Sequence, residues 1–235
     1  IEATNQVGGQ LNLASQPQRR QEMQAVSGWL YGECQALDVQ FEFNTWADAD
    51  VVLAYDPDMV IVATGGFPLE LPIKAEQELL TSTWDILTGQ VKPASRVLLY
   101  DETGTHVGMG CAEFMLQKGT TELEIVAPHR HIGREVGDVN FPHYLRGLYA
   151  LGARLTPDWE LVKVASQGAQ LEATLWNEYS NAYQTRFVDQ VVVENGTQVN
   201  DDVFQQLSPQ SRNLGQIDLS GLRQNTPALL ELNKV

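Results

Sequence analysis

The sequence predicts an α/β fold in which two units of strands and helices are joined by a connecting segment. Residues 96–126 have the pattern strand, glycine-containing loop, helix, strand, which is the βαβ arrangement of a nucleotide-binding sheet. Residues 58–63 (DMVIVA) form a second β-branched run that ends in a Thr-Gly-Gly turn. Between the two runs, residues 68–93 contain three prolines and a single short helical pattern, which is typical of a connection.

Periodicity assigns the individual elements along the chain. Apolar residues three and four apart predict helices, whereas alternating or continuous β-branched runs predict strands. The helix at 140–151 also has Pro142 in its first turn and Gly152 after its end. The predicted helices span 20–37, 82–87, 111–118 and 140–151, and the predicted strands span 39–43, 58–63, 96–100, 123–126, 161–164, 171–176, 185–188 and 190–193.

Composition excludes several classes of partner. Thirty acidic against fifteen basic residues give a formal net charge of -15, which repels nucleic acid and anionic lipid surfaces. No apolar stretch approaches the roughly 20 residues that cross a bilayer, and no secretory leader is visible. Cys34 and Cys111 lack the spacing of a metal or redox pair, so we expect a cytoplasmic protein without a metal site. Because the chain begins at Ile1, we interpret it as a fragment.

The opening residues, IEATNQVGGQ, have a pattern that suits a nucleotide. An acid at the end of the second strand of a dinucleotide-binding unit takes the ribose hydroxyls, and Glu2 fits that position. The Gly8-Gly9 pair would let the backbone pass close to a pyrophosphate. A surface acid and an ordinary tight turn are the alternative reading of these residues.

Several segments together resemble a known family. Residues 2–14, DMVIVATGGFP, RVLLYDETG and VDQVVVENGTQVN resemble, in order and spacing, the nucleotide-binding half of flavoproteins of the trimethylamine dehydrogenase and 2,4-dienoyl-CoA reductase family. The segments DETGTHVGMGCAEF, VGDVNFPHYLRGLYALGARLTPD and SRNLGQID are most similar to the N-methylproline (stachydrine-type) and dimethylglycine demethylases. The resemblance implies two Rossmann-like dinucleotide-binding units of the glutathione-reductase type, the first of them incomplete.

The resemblance also implies a domain plan and a set of cofactors. FMN and a 4Fe-4S cluster would lie in a missing N-terminal barrel, and this chain would bind FAD or ADP. Electrons would leave through an external carrier such as an electron-transfer flavoprotein, and homo-oligomerisation is left open. The implied parts are a partial FAD- or ADP-binding unit at 1–67, a connection at 68–95, a second NAD(P)-binding-like unit at 96–200 and a segment returning toward the first unit at 201–235.

Eight residues match cofactor-binding positions of the family. They comprise a ribose-binding acid, a turn on the pyrophosphate side, backbone contacts to adenine and a small-residue turn beside the cofactor. In that order they are Glu2; Gly8, Gly9 and Gln10; Asn44 and Thr45; Thr64 and Gly65. No catalytic residue and no metal ligand is expected within the chain.

The second unit departs from a working glycine fingerprint. Its glycines should follow the strand at once, so that helix amides face the pyrophosphate. Here Asp101 and Glu102 stand at that place, while Gly108 and Gly110 are displaced. These two carboxylates would repel the pyrophosphate of a dinucleotide. Arg130, which follows the next strand, could still bind a 2′-phosphate.

The sequence therefore predicts part of a flavin-dependent oxidoreductase that oxidatively demethylates a small N-methylated amine or amino acid. Two alternatives stay open. One is an NAD(P)H-dependent 2,4-dienoyl-CoA or enoate reductase, in which the second unit delivers hydride. The other is a nucleotide-free scaffold that docks an electron carrier.

Overall fold

The computed structural model describes residues 1–75, 77–217 and 219–224, so the end of the predicted returning segment lies outside the described residues. The α-helices are α1 (Gln10–Ala14), α2 (Gln24–Ala36), α3 (Ala49–Leu53), α4 (Thr83–Thr88), α5 (His106–Gln117), α6 (Phe141–Ala150), α7 (Asp202–Leu207) and α8 (Leu219–Arg223). The strands are β1 (Gly66–Pro68), β2 (Leu80–Ser82), β3 (Arg96–Asp101), β4 (Glu122–Val126), β5 (Arg154–Thr156), β6 (Glu160–Gln167), β7 (Gln170–Asn177), β8 (Ala182–Val188), β9 (Gln190–Glu194) and β10 (Thr197–Val199). Short 3-10 helices cover Gln18–Met23, Gln77–Leu79 and Ser208–Gln210.

Contacts divide the chain into two units. Unit 1 contains Ile1–Val7, Leu30–Phe67 and Val199–Val235, as far as these are described. Unit 2 contains Gly8–Trp29 and Pro68–Gln198. The segment Gly8–Trp29 thus packs with the later part of the chain, whereas the sequence-based division places it in 1–67. The nucleotide-binding roles of the predicted domains stay predictions.

Unit 2 is built on a five-stranded parallel sheet. The strand order is β2-β9-β3-β4-β5, and every neighbouring pair is parallel. The central strands β3 and β9 are buried because their sequences, RVLLYD and QVVVE, are apolar on both faces. Asp101 and Glu194 end these two strands in register with each other.

Different layers cover the two faces of this sheet. Val97 and Leu99 of β3 point into a core with α4, α5 and α6. Leu98 and Tyr100 point to the opposite side, where the antiparallel sheet β6-β7-β8 packs against them. This alternation within one strand produces the helix, sheet, sheet layering of unit 2.

Most predicted elements of unit 2 are confirmed. The β3–α5–β4 unit, α4, α6, the β6-β7-β8 strands and β9 lie where periodicity placed them. Helix α5 begins earlier than the predicted residue 111, because Thr105 caps it and accepts the Val107 N–H at 3.4 Å. Gly108 and Gly110, interpreted as loop residues, therefore lie inside the helix.

Unit 1 differs from the prediction in its strands. The strands expected at 39–43 and 58–63 are wrong, since neither segment forms one. Ile61 is 84% exposed, and the described residues offer the 58–63 run no partner strand. β-branched residues favour an extended chain, but a strand requires a hydrogen-bonded neighbour. The short strands β1 and β10 do pair with each other.

The helix predicted at 20–37 forms in two parts. A 3-10 helix, Gln18–Met23, leads into α2. Val26, Trp29 and Leu30, whose spacing of three and four residues predicted this helix, are exposed. Across the described ranges, no helix is both long enough and apolar enough to traverse a bilayer.

Candidate functional site

Three of the predicted nucleotide-binding residues lie together in unit 1. The Thr45 amide donates to the Glu2 carbonyl at 3.1 Å, and the Glu2 amide donates to the Glu42 carbonyl at 2.7 Å. The Asn44 amide donates to the Thr4 carbonyl at 2.9 Å, and Asn44 has a φ of 55°. The opening strand-like segment and the loop at 42–45 are thus held side by side.

The Glu2 carboxylate is oriented by its own turn. Its Oε1 accepts the Thr4 amide at 2.8 Å and the Thr4 hydroxyl at 2.7 Å. A carboxylate is an acceptor only, so it can hold ribose hydroxyls, which are donors. Glu2 therefore has the chemistry and the local support expected of a ribose-binding acid.

Thr64 and Gly65 form a separate turn of unit 1. The Thr64 hydroxyl donates to the Asn200 carbonyl, and the Asn200 amide donates to the Gly65 carbonyl at 2.9 Å. Gly65 has a φ of 68°, a conformation that L side chains rarely adopt. The partner Asn200 was not singled out from the sequence.

Gly8, Gly9 and Gln10 lie in unit 2 at the start of α1. A Cβ at Gly8 would meet the Asn12 side chain at 2.5 Å, so this glycine allows a close approach. Gly9 has a φ of 48°, and a Cβ there would meet nothing within 4 Å. The space beside the Gly9 Cα is therefore open, and the Gly9 carbonyl accepts the Asn12 amide at 3.1 Å.

The second glycine loop is filled by a carboxylate of the chain itself. Asp101 Oδ1 accepts the Gly104 amide at 2.8 Å and the Thr103 amide at 3.2 Å. The other oxygen, Oδ2, has no hydrogen-bond partner among the described residues. A Cβ at Gly108 would stand 2.4 Å from this oxygen, so α5 packs directly onto the carboxylate. Loop amides that would otherwise face a pyrophosphate are thus already bonded.

A neighbouring loop closes over the same turn. The Glu135 amide donates to the Gly104 carbonyl at 2.9 Å, and His129 Nε2 lies 2.8 Å from the Glu102 carbonyl. A Cβ at Gly104 would lie 3.0 Å from the Arg134 amide nitrogen. The predicted departure from a working fingerprint therefore corresponds to a packed, self-bonded turn.

Two buried acids end the central strands. Glu194 accepts bonds from the Thr83 hydroxyl and from the Gly196 amide, the latter at 3.0 Å. Burial raises the pKa of Asp101, and burial together with the Asp101 charge raises the pKa of Glu194. Burial also raises the pKa of the Cys111 thiol, which makes it a packed and unreactive group, as the sequence indicated.

These acids predict a particular pH dependence of stability. Since the pKa of Asp101 is higher in the folded chain, its contribution is complete at acidic pH and is lost as pH rises through that value. Replacing Asp101 with Asn keeps the oxygen that accepts both amides but removes the charge. We therefore expect the stability of the variant relative to the parent to increase as pH rises above about 5, which is already about a unit above the ordinary pKa of Asp.

Urea unfolding at a series of pH values measures this change. Asp189→Asn is the matched control, because the Arg96 hydrogen bond lowers the pKa of Asp189 and keeps it ionised throughout the window. The difference in unfolding free energy between Asp189→Asn and the parent should stay constant across this pH range. If the difference in unfolding free energy between Asp101→Asn and the parent also stays constant with pH, burial does not raise the pKa of Asp101.

The sequence did not reveal a cavity of about 280 Å³ in unit 2. Gln10, one of the predicted residues, lines it together with Arg20, Trp84 and His106. These residues come from four separate segments. Among the described residues, no group of three or more His, Cys, Asp or Glu side chains is arranged to hold a metal.

The parallel sheet and its β3–α5–β4 unit define an α/β protein with a nucleotide-binding type of architecture. No protein-family model matches the chain. The chain is 39% identical over 217 residues to "Probable N-methylproline demethylase" of Rhizobium meliloti (strain 1021), covering 92% of this chain and 32% of that protein. It is 38% identical over 242 residues to N,N-dimethylglycine/sarcosine dehydrogenase of Chromohalobacter salexigens, which covers 99% of this chain and 35% of that protein.

A solved structure supports the fold. The 6-hydroxypseudooxynicotine amine oxidase of Pseudomonas geniculata N1 superposes with a TM-score of 0.78 at 20% identity, covering 92% of this chain and 33% of that one. The predicted resemblance is confirmed: the chain is a homologue of demethylating and dehydrogenating oxidoreductases over nearly its whole length. It spans about a third of the length of the two curated relatives.

Proposed function

We propose that this chain is the nucleotide-binding part of a flavin-dependent oxidoreductase that demethylates a small N-methylated amine or amino acid. The observation that carries this proposal is the sequence similarity to two relatives. The chain is 39% identical to the demethylase across 92% of its length and 38% identical to the dehydrogenase across 99%. The two relatives are named for N-methylproline and for dimethylglycine or sarcosine, which are small N-methylated amino acids.

Within this proposal the chain binds FAD or ADP through its first Rossmann-like unit, and the second unit has a degenerate glycine loop. Glu2 would hold the ribose, Asn44 and Thr45 would contact adenine through their backbone, and Gly9 would admit the pyrophosphate. The Glu2 carboxylate, which the Thr4 amide and hydroxyl orient, supports the ribose-binding role.

The cofactors that transfer electrons would lie outside this chain. FMN and a 4Fe-4S cluster on a preceding barrel would carry out the redox chemistry, because cofactors rather than side chains perform it. An electron-transfer flavoprotein would accept the electrons. The self-bonded Asp101 turn supports this route over hydride delivery by NAD(P)H, because its Thr103 and Gly104 amides are bonded to Asp101 and not open to a second dinucleotide.

The nucleotide role of Glu2 is tested by Glu2→Gln in the whole protein. Loss of a bond to a charged acceptor should lower the affinity for FAD or ADP about tenfold or more, while glutamine can still bond Thr4. Nucleotide released by denaturation is quantified by chromatography. The control is Glu42→Gln, an exposed acid of the same unit, which should retain a full complement. Equal nucleotide content in both variants would remove Glu2 from the site.

A further inference from the structure

The cavity of unit 2 combines apolar walls with one fixed positive charge. Leu11 and Leu87 contribute aliphatic surface, and the Trp84 indole contributes an aromatic one. Its volume of about 280 Å³ is near the lower end of the roughly 300–1,000 Å³ of small-molecule pockets. A molecule of one or two rings fits such a space, whereas a complete dinucleotide does not.

The charge belongs to Arg20, which the fold holds in place. Its Nε donates to the hydroxyl of buried Tyr144 at 3.0 Å. This bond engages one edge of the guanidinium and orients the remaining N–H groups, which are suited to a carboxylate. No Asp or Glu is among the described residues that line the cavity, so no internal acid neutralises Arg20 there.

His106 adds a second polar group to the same wall. It opens α5, its ring lies 5.7 Å from that of Tyr144, and its Nδ1 is buried without a hydrogen-bond partner among the described residues. Burial and the nearby Arg20 charge lower the pKa of His106, so its imidazole is neutral and can donate or accept one bond. A buried polar atom without a partner is the kind of group that a ligand satisfies.

One wall of the cavity requires a glycine at position 110. A Cβ at Gly110 would lie 3.2 Å from Pro17 Cγ, so α5 approaches the Pro17 turn through this glycine. Both residues line the cavity. The space is therefore bounded on this side by a tight helix-to-turn contact.

We propose that this cavity binds a small aromatic carboxylate, with its ring against Trp84 and the leucines and its carboxylate on Arg20. A cationic amine would meet Arg20 without a compensating acid, and a zwitterionic amino acid would leave its ammonium unpaired, which is costly in an apolar site. The ligand is thus distinct in class from the N-methylated substrate and from FAD or ADP. It is independent of the ribose and adenine roles proposed for Glu2, Asn44 and Thr45, although Gln10 of the predicted pyrophosphate turn also lines the cavity.

Calorimetric titration of the whole protein tests the proposal with benzoate and indole-3-carboxylate. Benzamide, which has the same shape as benzoate without its charge, and N-methylproline are the comparison ligands. We expect the acids to bind with millimolar or tighter affinity, and benzamide and N-methylproline to bind at least tenfold more weakly. Equal binding of benzoate and benzamide, or no binding of either acid, would overturn the proposal.

Two variants and a control locate the site. Arg20→Met should weaken benzoate at least tenfold, and Ala14→Phe, which fills the cavity from α1, should abolish binding. Arg134→Met removes an exposed cation outside the lining and should change nothing. Thermal melts establish that each variant is folded, and unchanged benzoate affinity in folded Ala14→Phe would contradict the assignment.

Competition with ADP and FAD separates this site from the nucleotide site. Added nucleotide should leave benzoate affinity unchanged, and benzoate should leave the retained nucleotide in place. Displacement of benzoate by ADP or FAD would assign the cavity to the nucleotide instead. Nucleotide content is measured on the same samples, so failure of this proposal is distinguishable from failure of the proposed function.

Discussion

Replacing Arg19 with methionine is expected to lower the free energy of unfolding by about 3–5 kcal/mol, because it leaves a buried carboxylate without its partner. The Glu113 side chain is only 7% exposed, and its Oε1 lies 2.8 Å from Arg19 Nη2. Arg19 also donates to the His143 carbonyl at 3.0 Å and lies over the Tyr144 ring at 5.1 Å. One guanidinium thus ties the Gln18–Met23 segment to both α5 and α6.

Urea unfolding of the whole protein measures this loss. Arg134→Met is the matched control, because the Arg134–Glu135 pair is about half exposed on both sides and exposed pairs contribute about 0–1 kcal/mol. The double variant Arg19→Met with Glu113→Leu should recover much of the stability, since no unpaired charge remains. A loss below about 1 kcal/mol for Arg19→Met would mean that Glu113 finds water or another partner.

Replacing Gly108 with alanine is expected to destabilise the chain by about 1–3 kcal/mol, although alanine is the better helix former. The added Cβ would stand 2.4 Å from Asp101 Oδ2 and 2.5 Å from Asp101 Cγ. Asp101 cannot move aside without losing its bonds to the Thr103 and Gly104 amides. Either α5 shifts away from the sheet or the turn after β3 opens.

Gly28→Ala is the control for this prediction, because a Cβ at Gly28 in α2 meets nothing within 4 Å. It should be neutral or stabilise the chain by up to about 1 kcal/mol. Both variants are compared by urea unfolding at one pH. Equal effects at Gly108 and Gly28 would contradict the close packing of α5 on Asp101.

The parallel core of unit 2 was predictable because its signals are local. RVLLY and QVVV are apolar on both faces, and only a strand covered on both sides satisfies that pattern. The pairing of β3 with β9, which are far apart in sequence, could not be derived in the same way. Register depends on contacts between strands and not on the composition of either one.

Elements in both units show where local signals fail. The 58–63 run has strong β propensity but gains no partner strand in the described residues, and the apolar face of α2 stays exposed. The start of α5 was missed because Gly108 and Gly110 resemble a loop. Glycine is needed at these helical positions because of close approaches to Asp101 and Pro17, which no sequence pattern reports.

The candidate site was predictable only in part. The assignment of Glu2 and the Gly8-Gly9 turn to a nucleotide site stays a prediction, whereas the carboxylate in the second loop was visible as Asp101. The cavity was not, because Arg20, Trp84 and His106 come together through tertiary packing alone. The anchoring of Arg20 by Tyr144 joins residues 124 positions apart.

The most direct test of the proposed function is anaerobic reduction of the flavin in the whole protein. Sarcosine, dimethylglycine and N-methylproline are added separately, as are NADH and NADPH, and the flavin absorbance is followed. We predict bleaching by at least one N-methylated amino acid and none by either nicotinamide nucleotide. Bleaching by NADH or NADPH without any response to the amines would contradict both the demethylase function and the interpretation of Asp101 as a block to the second dinucleotide.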